Sequence, residues 1–161
     1  MGDPGTPARF AVDRMLGRLA RWLRVLGHDV LYAPHLSGPA LAARARRDGR
    51  LLVTRDTRLV RRADVPTHLF IRSDRFRDQL REVKAAVGLG TPALLGRCLQ
   101  CNRVLAEVPR ERAQNRVPPF VWNTAERFVA CPRCHRIYWP ATHRAHMLDE
   151  LTALGFVEAG A

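Results

Sequence analysis

Three aspartates and four cysteines carry the chemistry this sequence can do. Asp13, Asp56 and Asp74 each close a short apolar run: Phe10-Ala11-Val12-Asp13, Leu51-Leu52-Val53-Thr54-Arg55-Asp56, and Leu69-Phe70-Ile71-Arg72-Ser73-Asp74. Carboxylates are hard oxygen donors. Several of them converging at one place hold Mg²⁺ or Mn²⁺ against a phosphodiester, where the ion polarises the phosphoryl oxygen and generates hydroxide from bound water. Each aspartate taken alone equally suits a helix N-cap. Asp29 and Asp48 are poorer candidates, because they fall at the opposite ends of their elements.

The cysteines form two pairs, Cys98-Leu-Gln-Cys101 and Cys131-Pro-Arg-Cys134. A CxxC knuckle brings two thiolates to one ion from a single tight turn, and two knuckles supply the tetrahedral set of a structural zinc site. With four thiols no coordination position stays open, so His135, His143 and His146 are expected at the surface and not on the metal. Trp122, Tyr138 and Trp139 either stack on unpaired bases or form the small core of the ribbon.

The elements that would position the aspartates follow from periodicity. Arg9 to Val12 reads as a buried strand delivering Asp13 to its end. Arg14 to Leu26 reads as a helix, with Leu16, Leu19, Ala20, Leu23 and Leu26 inward, Arg14, Arg18 and Arg21 outward, and Gly27 as its stop. His28–Ala33 is a second strand, and Ser37-Gly38-Pro39 a turn before a helix over Ala40–Asp48. Arg50–Thr54 is a third strand, followed by a short helix around Thr57–Arg62. Thr67–Ile71 is a fourth strand, and Arg75–Val87 a further helix. Strands alternating with helices predict a parallel sheet whose carboxyl ends lie on one edge, and ligands bind at that edge. Gly88–Gly96 reads as a linker. Val104–Val108 and Pro118–Trp122 read as strands of a ribbon, and His143–Leu154 as an amphipathic helix that packs back on one of the modules. The expected division is a nuclease-like domain at 9–90, a zinc ribbon at 95–142 and a C-terminal helix at 143–155.

The formal charge is +12, and of 27 basic residues only Lys84 is a lysine. Part of the arginine bias follows base composition, but the net excess predicts attraction to phosphate backbones, which guanidinium groups bind bidentately. Arg14, Arg18, Arg21 and Arg55 are the expected phosphate contacts beside the aspartates, and Thr54 is placed to orient a ligand or water. Arg97, Arg103, Arg133 and Arg136 could position RNA on the ribbon. Residues 1–8 lack the form of a signal peptide and read as a disordered leader. No apolar run is long enough to span a bilayer, so a cytoplasmic protein is expected. No Gly-x-Ser-x-Gly elbow, Walker or dinucleotide glycine pattern occurs, which excludes those chemistries.

The block Phe10-Ala-Val-Asp-Arg-Met-Leu-Gly-Arg-Leu-Ala-Arg-Trp-Leu-Arg-Val-Leu-Gly27, with Leu52-Val-Thr-Arg-Asp56 and Ile71-Arg-Ser-Asp74, resembles the Mut-seven C-terminal RNase domain family. That family belongs to the PIN-like nucleases and carries a C-terminal zinc ribbon. The resemblance runs from about Arg9 to Met147. It implies an α/β, PIN-like sandwich and a metal-dependent RNase activity, with Asp13 and Asp56 as core Mg²⁺ or Mn²⁺ ligands and Asp74 as a third. There is one departure. PIN-like nucleases place another acid at the start of the helix after the second strand, and here that region reads Ser37-Gly38-Pro39-Ala40-Leu41. The expectation is therefore a ribonuclease, with a non-catalytic RNA-binding adaptor as the alternative.

Overall fold

Strand β1 (Arg9–Val12) is apolar and buried from Phe10 onward, and its interior place in the sheet explains why. β1 pairs in parallel with β2 (Asp29–Tyr32) on one side and with β3 (Leu51–Thr54) on the other; β3 pairs in parallel with β4 (His68–Phe70). The order is β2-β1-β3-β4. Such an order reverses direction between β1 and β3, so the crevice at their carboxyl ends is the topological switch point. A computed structural model of the chain describes residues 8–139 and 142–157, the side chains of 142–144 excepted. Apart from Ala8, the expected leader lies outside the described residues.

Two compact units divide after Leu95. In the first, alternation along the strands feeds two cores. Ala11 and Leu52 face Leu41, Ala42 and Ala45 of α2 (Gly38–Arg47), with Leu59 closing the cluster. Phe10, Val12, Val30 and Val53 are buried in the opposite sense. On that side α1 (Gly17–Val25) touches β2 and α3 (Phe76–Val87). The expected inward face of α1 is the one found: Leu19, Ala20 and Leu23 are buried, as are Leu16 and Leu26 flanking the helix. The residues Arg14–Leu16 form a separate 3-10 turn before α1, and Gly27 follows the helix with φ 98°. At the amino edge of the sheet, Arg50 bonds both oxygens of Asp29 at 2.9 and 3.1 Å and also the carbonyls of Phe10 and Asp29.

Three details differ from the sequence reading. Gly38 and Pro39 belong to α2, whose N-cap is Ser37 with its hydroxyl accepting from Ala40 N–H. Proline at a helix start loses no hydrogen bond, so the apparent turn is the first turn of the helix. Thr57–Arg61 forms hydrogen-bonded turns, not a helix: Val60 N–H bonds Asp56 O, and the next bonds fall at shorter spacing. One helical bond too few to propagate leaves a turn. The expected linker is bound to the first unit: Leu89 is buried, His28 Nε2 donates to Gly90 O, and Leu95 N–H bonds Val25 O.

The second unit holds an antiparallel sheet, β5 (Ala106–Val108), β6 (Phe128–Ala130) and β7 (Ile137–Tyr138), in the order β5-β6-β7. Between β5 and β6 lie two short helices, α4 (Arg110–Ala113) and α5 (Pro119–Thr124). The sequence reading made Pro118–Trp122 a strand, and it is helical because Pro119 starts α5 and Trp122 N–H bonds Pro118 O. Ala113, Val117, Ala125, Phe128 and Ile137 form the core, with Trp122 and Trp139 packed against it. Both tryptophans thus serve as core. The final helix, α6 (Thr142–Ala153), buries Met147 and Leu151 at i, i+4 spacing.

Candidate active site and cysteine centre

Asp13 follows the last residue of β1, and its backbone N–H bonds Val53 O at 3.0 Å, so the ladder with β3 runs right up to the carboxylate. Its Oδ1 accepts from Met15 N–H at 3.2 Å, capping the 3-10 turn. Its Oδ2 accepts from the Thr54 hydroxyl at 2.6 Å. Thr54 ends β3 with no exposed surface, and Asp13 is 8% exposed. The same Thr54 oxygen accepts from Asp56 N–H at 3.0 Å. One buried hydroxyl therefore ties the two aspartates to the paired strand ends at the switch point.

Asp56 is also a cap. Its Oδ1 accepts from Arg58 N–H at 2.9 Å and Leu59 N–H at 3.1 Å, while Oδ2 takes no bond among the described residues. The N-terminus of α2 stands beside that oxygen: a Cβ built on Gly38 would lie 3.7 Å from Asp56 Oδ2 and 3.3 Å from Leu59 Cδ2. Gly38, within the stretch that lacks an acid, leaves open a space against Asp56 and Leu59. Each aspartate caps with Oδ1; Asp13 Oδ2 is taken by the Thr54 hydroxyl, and Asp56 Oδ2 alone is left without a protein donor among the described residues. A half-buried carboxylate oxygen with no protein donor is a hard oxygen that can take part in holding a divalent ion.

Asp74 is exposed on the loop after β4 and makes no hydrogen bond or ion pair among the described residues. It is not the N-cap of α3; that position is Arg75, whose N–H bonds Ser73 Oγ. The loop is held by Glu82, which accepts from Arg72 N–H and Ser73 N–H, both at 2.8 Å. Asp13, Asp56 and Asp74 do not close into a group of ion-holding side chains; among the described residues only the four cysteines do so. Arg14, Arg18 and Arg21 are exposed along the outer side of α1 and its 3-10 turn. Arg55 is half-buried, donating to Arg72 O at 3.4 Å. Asp29 and Asp48 are engaged by Arg50 and Arg44, away from the carboxyl edge.

The thiols of Cys98, Cys101, Cys131 and Cys134 lie within 4.8 Å of one another. The knuckles repeat each other bond for bond. Cys98 N–H bonds Arg103 O and Cys131 N–H bonds Arg136 O; Asn102 N–H bonds Cys98 O and His135 N–H bonds Cys131 O. Bridges Arg97↔Val104 and Ala130↔Ile137 flank them at equal offsets. Asn102 (φ 64°) and His135 (φ 58°) take the same left-handed position, so His135 turns the chain and lies exposed, as expected of a non-ligand. His146 is exposed too, while the side chain of His143 lies outside the described residues.

Amide N–H groups of Cys101 and Cys134 donate to Cys98 and Cys131 sulfurs at 3.4 and 3.5 Å. Tyr138 was expected in the core or against a base. Its hydroxyl lies 3.1 Å from Cys98 Sγ while accepting from Leu99 N–H. Burial raises the Cys98 thiol, but hydrogen bonds from Tyr138 and nearby amides outweigh it and bring the pKa down to about 6. Cys134 as hydrogen-bond partner, followed by burial, pushes Cys101 up to about 12. A thiolate stabilised before any ion arrives is the donor a soft site needs.

A family model described as the Mut7-C RNAse domain matches residues 8–151. The chain belongs to the Mut7-C RNAse domain family. No curated protein and no solved structure matches it. The Mut7-C match takes in both units, spanning the paired strand ends, Asp74 and all four cysteines. Among the described residues, no helix is long and apolar enough to cross a membrane.

Sequence reasoning anticipated the clustering of the four cysteines and the places of Asp13 and Asp56 just after the strands β1 and β3. It did not find Gly38, whose meaning is a contact with Asp56, nor the role of Tyr138 at Cys98. A tyrosine four residues after the second knuckle was the available signal for the latter.

Proposed function

We propose that this Mut7-C domain is a metal-dependent ribonuclease acting in the cytoplasm, and that its site lies where β1 and β3 end. The supporting observation is the Asp13–Thr54–Asp56 chain of hydrogen bonds at the switch point. Asp13 and Asp56 would hold Mg²⁺ or Mn²⁺, with Asp74 as the third acid of the set. A bound divalent ion supplies Lewis acidity toward a phosphodiester and a hydroxide at neutral pH. Thr54 fixes the direction of the Asp13 carboxylate. Arg14, Arg18, Arg21 and Arg55 bind backbone phosphates, and the four cysteines hold a structural zinc.

A second reading is an RNA-binding adaptor with a reduced site. It is favoured by the exposure of Asp74, by the absence of a three-aspartate ion-holding group among the described residues, and by the lack of an acid over Ser37–Leu41. Cleavage of labelled RNA by purified protein, with Mg²⁺, Mn²⁺ or EDTA, separates the two. Metal-dependent cutting by the native protein, lost in Asp56→Asn at equal zinc content, is the expected result. Salt-sensitive binding without cutting in either protein would leave only the adaptor.

A further inference from the structure

The two cysteine knuckles match along the backbone, yet one side chain breaks the match. Cys98 corresponds to Cys131, Cys101 to Cys134, Asn102 to His135 and Arg103 to Arg136. At the same offset Leu105 corresponds to Tyr138, and the two are placed alike: Leu105 N–H bonds Gly96 O, and Tyr138 pairs with Val129. Leu99 corresponds to Pro132. Leucine has no hydroxyl and proline no N–H, so what Tyr138 and Leu99 do at Cys98 has no counterpart at Cys131.

The sulfurs are held unequally as a result. Cys98 Sγ lies 3.1 Å from the Tyr138 hydroxyl and accepts from Cys101 N–H at 3.4 Å. Cys131 Sγ accepts from two amides, Arg133 N–H at 3.4 Å and Cys134 N–H at 3.5 Å, and from no side chain among the described residues. The direction of the Tyr138 bond follows from its other partner. Its oxygen accepts from Leu99 N–H at 3.2 Å, and a thiolate on an ion has no proton to give, so the O–H donates to Cys98. Tyr138 sits in β7, in the hairpin of the second knuckle, while both of its partners belong to the first. One half-buried phenol thus clasps the two knuckles together at a sulfur.

We propose that Tyr138 is the positioning residue of the cysteine centre: its hydroxyl fixes Cys98 against the second knuckle and slows the loss of a bound ion. The inference rests on the reading that the four thiols hold zinc. Two physical effects carry it. A sulfur already set in place costs less freedom to bring to an ion, which is the advantage of preorganisation. An O–H bond also draws charge from the sulfur, and outer partners of this kind tune both the affinity and the electronic character of a metal site.

The test loads the full-length native protein and its variants with Co²⁺ and then with Zn²⁺. Tyr138→Phe keeps the ring and removes the hydroxyl. Leu99→Pro copies the second knuckle and removes only the N–H that orients that hydroxyl. In Tyr138→Phe, zinc affinity in a chelator competition should fall by about 10-fold, as loss of an outer-shell bond implies. The sulfur-to-cobalt charge-transfer band should move to longer wavelength, because a sulfur without its donor gives up electrons more readily. Leu99→Pro should change both in the same direction by less. Phe128→Leu loosens the neighbouring core without taking a donor from any sulfur, and should leave the band where it is. An unchanged band and affinity in Tyr138→Phe, or an equal band shift in Phe128→Leu, would overturn the clasp. Should Tyr138→Phe hold no ion, Leu99→Pro decides: an unchanged band there overturns the proposal and a shifted one supports it. Native protein that takes up neither ion overturns the zinc reading and the clasp with it, a failure told apart from the others because in those the native protein is loaded.

Discussion

Thr54 is the residue on which the candidate site depends without touching a ligand. Its hydroxyl donates to Asp13 Oδ2 and accepts from Asp56 N–H, with no exposed surface to let water replace either bond. Thr54→Val keeps the shape and removes both bonds, leaving a buried carboxylate oxygen and an amide unpaired. The expected cost is about 1–3 kcal/mol in a denaturant titration. Cleavage at low Mn²⁺ should fall more than cleavage at saturating Mn²⁺, because the variant loosens the carboxylate and does not delete it. A variant with native stability and native metal dependence would show that the hydroxyl is incidental. The sequence makes Asp13 and Asp56 readable, because a carboxylate ending an apolar run is a local pattern. The bond from Thr54 to Asp13 joins residues 41 apart and exists only through the pairing of β1 with β3. Composition and spacing carry no trace of that pairing. Gly38 was hidden for the same reason: its missing side chain matters only against Asp56 and Leu59.

Among the elements, β1 and β3 have an electrostatic fastening at their amino ends as well as a site at their carboxyl ends. Arg50 bonds Asp29 bidentately and reaches Phe10 O, so one guanidinium spans β2, β1 and the start of β3. Arg50→Met should destabilise the protein by about 2–3 kcal/mol, since it strands a half-buried carboxylate and two carbonyls. The figure stays below that for a sealed pair because Arg9 remains 3.6 Å from Asp29. RNA affinity per folded molecule should not change, because the arginines proposed to bind phosphates lie elsewhere. Chemical denaturation paired with an RNA titration checks both halves. The parallel strands were legible because each is a bounded apolar run between helical stretches. Pro118–Trp122 misled because a short apolar run fits strand and helix equally, and the paired prolines that open it were a helix start. The knuckles were legible in full, since a CxxC turn is a purely local structure.

For the whole molecule, the two units answer to different forces. The first has cores on both faces of its sheet, whereas the second has a small cluster around Phe128 and Ile137 beside four thiols. A domain with so small a core would gain much of its folding free energy from a metal held by those thiols. Chelation at neutral pH should therefore remove amide dispersion from Gly96 onward in a two-dimensional NMR spectrum and leave the shifts of Phe10, Val12 and Val53 in place. Cys98→Ser should reproduce the effect without chelator. Loss of the first unit's signals at the same chelator concentration would show that the two melt together. The strand order has a consequence for synthesis. β1 leaves the ribosome before β2 and β3 but lies between them in the sheet, and one of its edges stays open until Leu51–Thr54 arrives to close it. Asp13 accordingly acquires its buried setting only when Thr54 is in place, so every nascent chain shorter than this carries an apolar strand with an unfilled edge. A chaperone or the ribosome surface has its greatest claim on the chain during that interval, and a stall upstream of Leu51 yields a fragment with no candidate site at all.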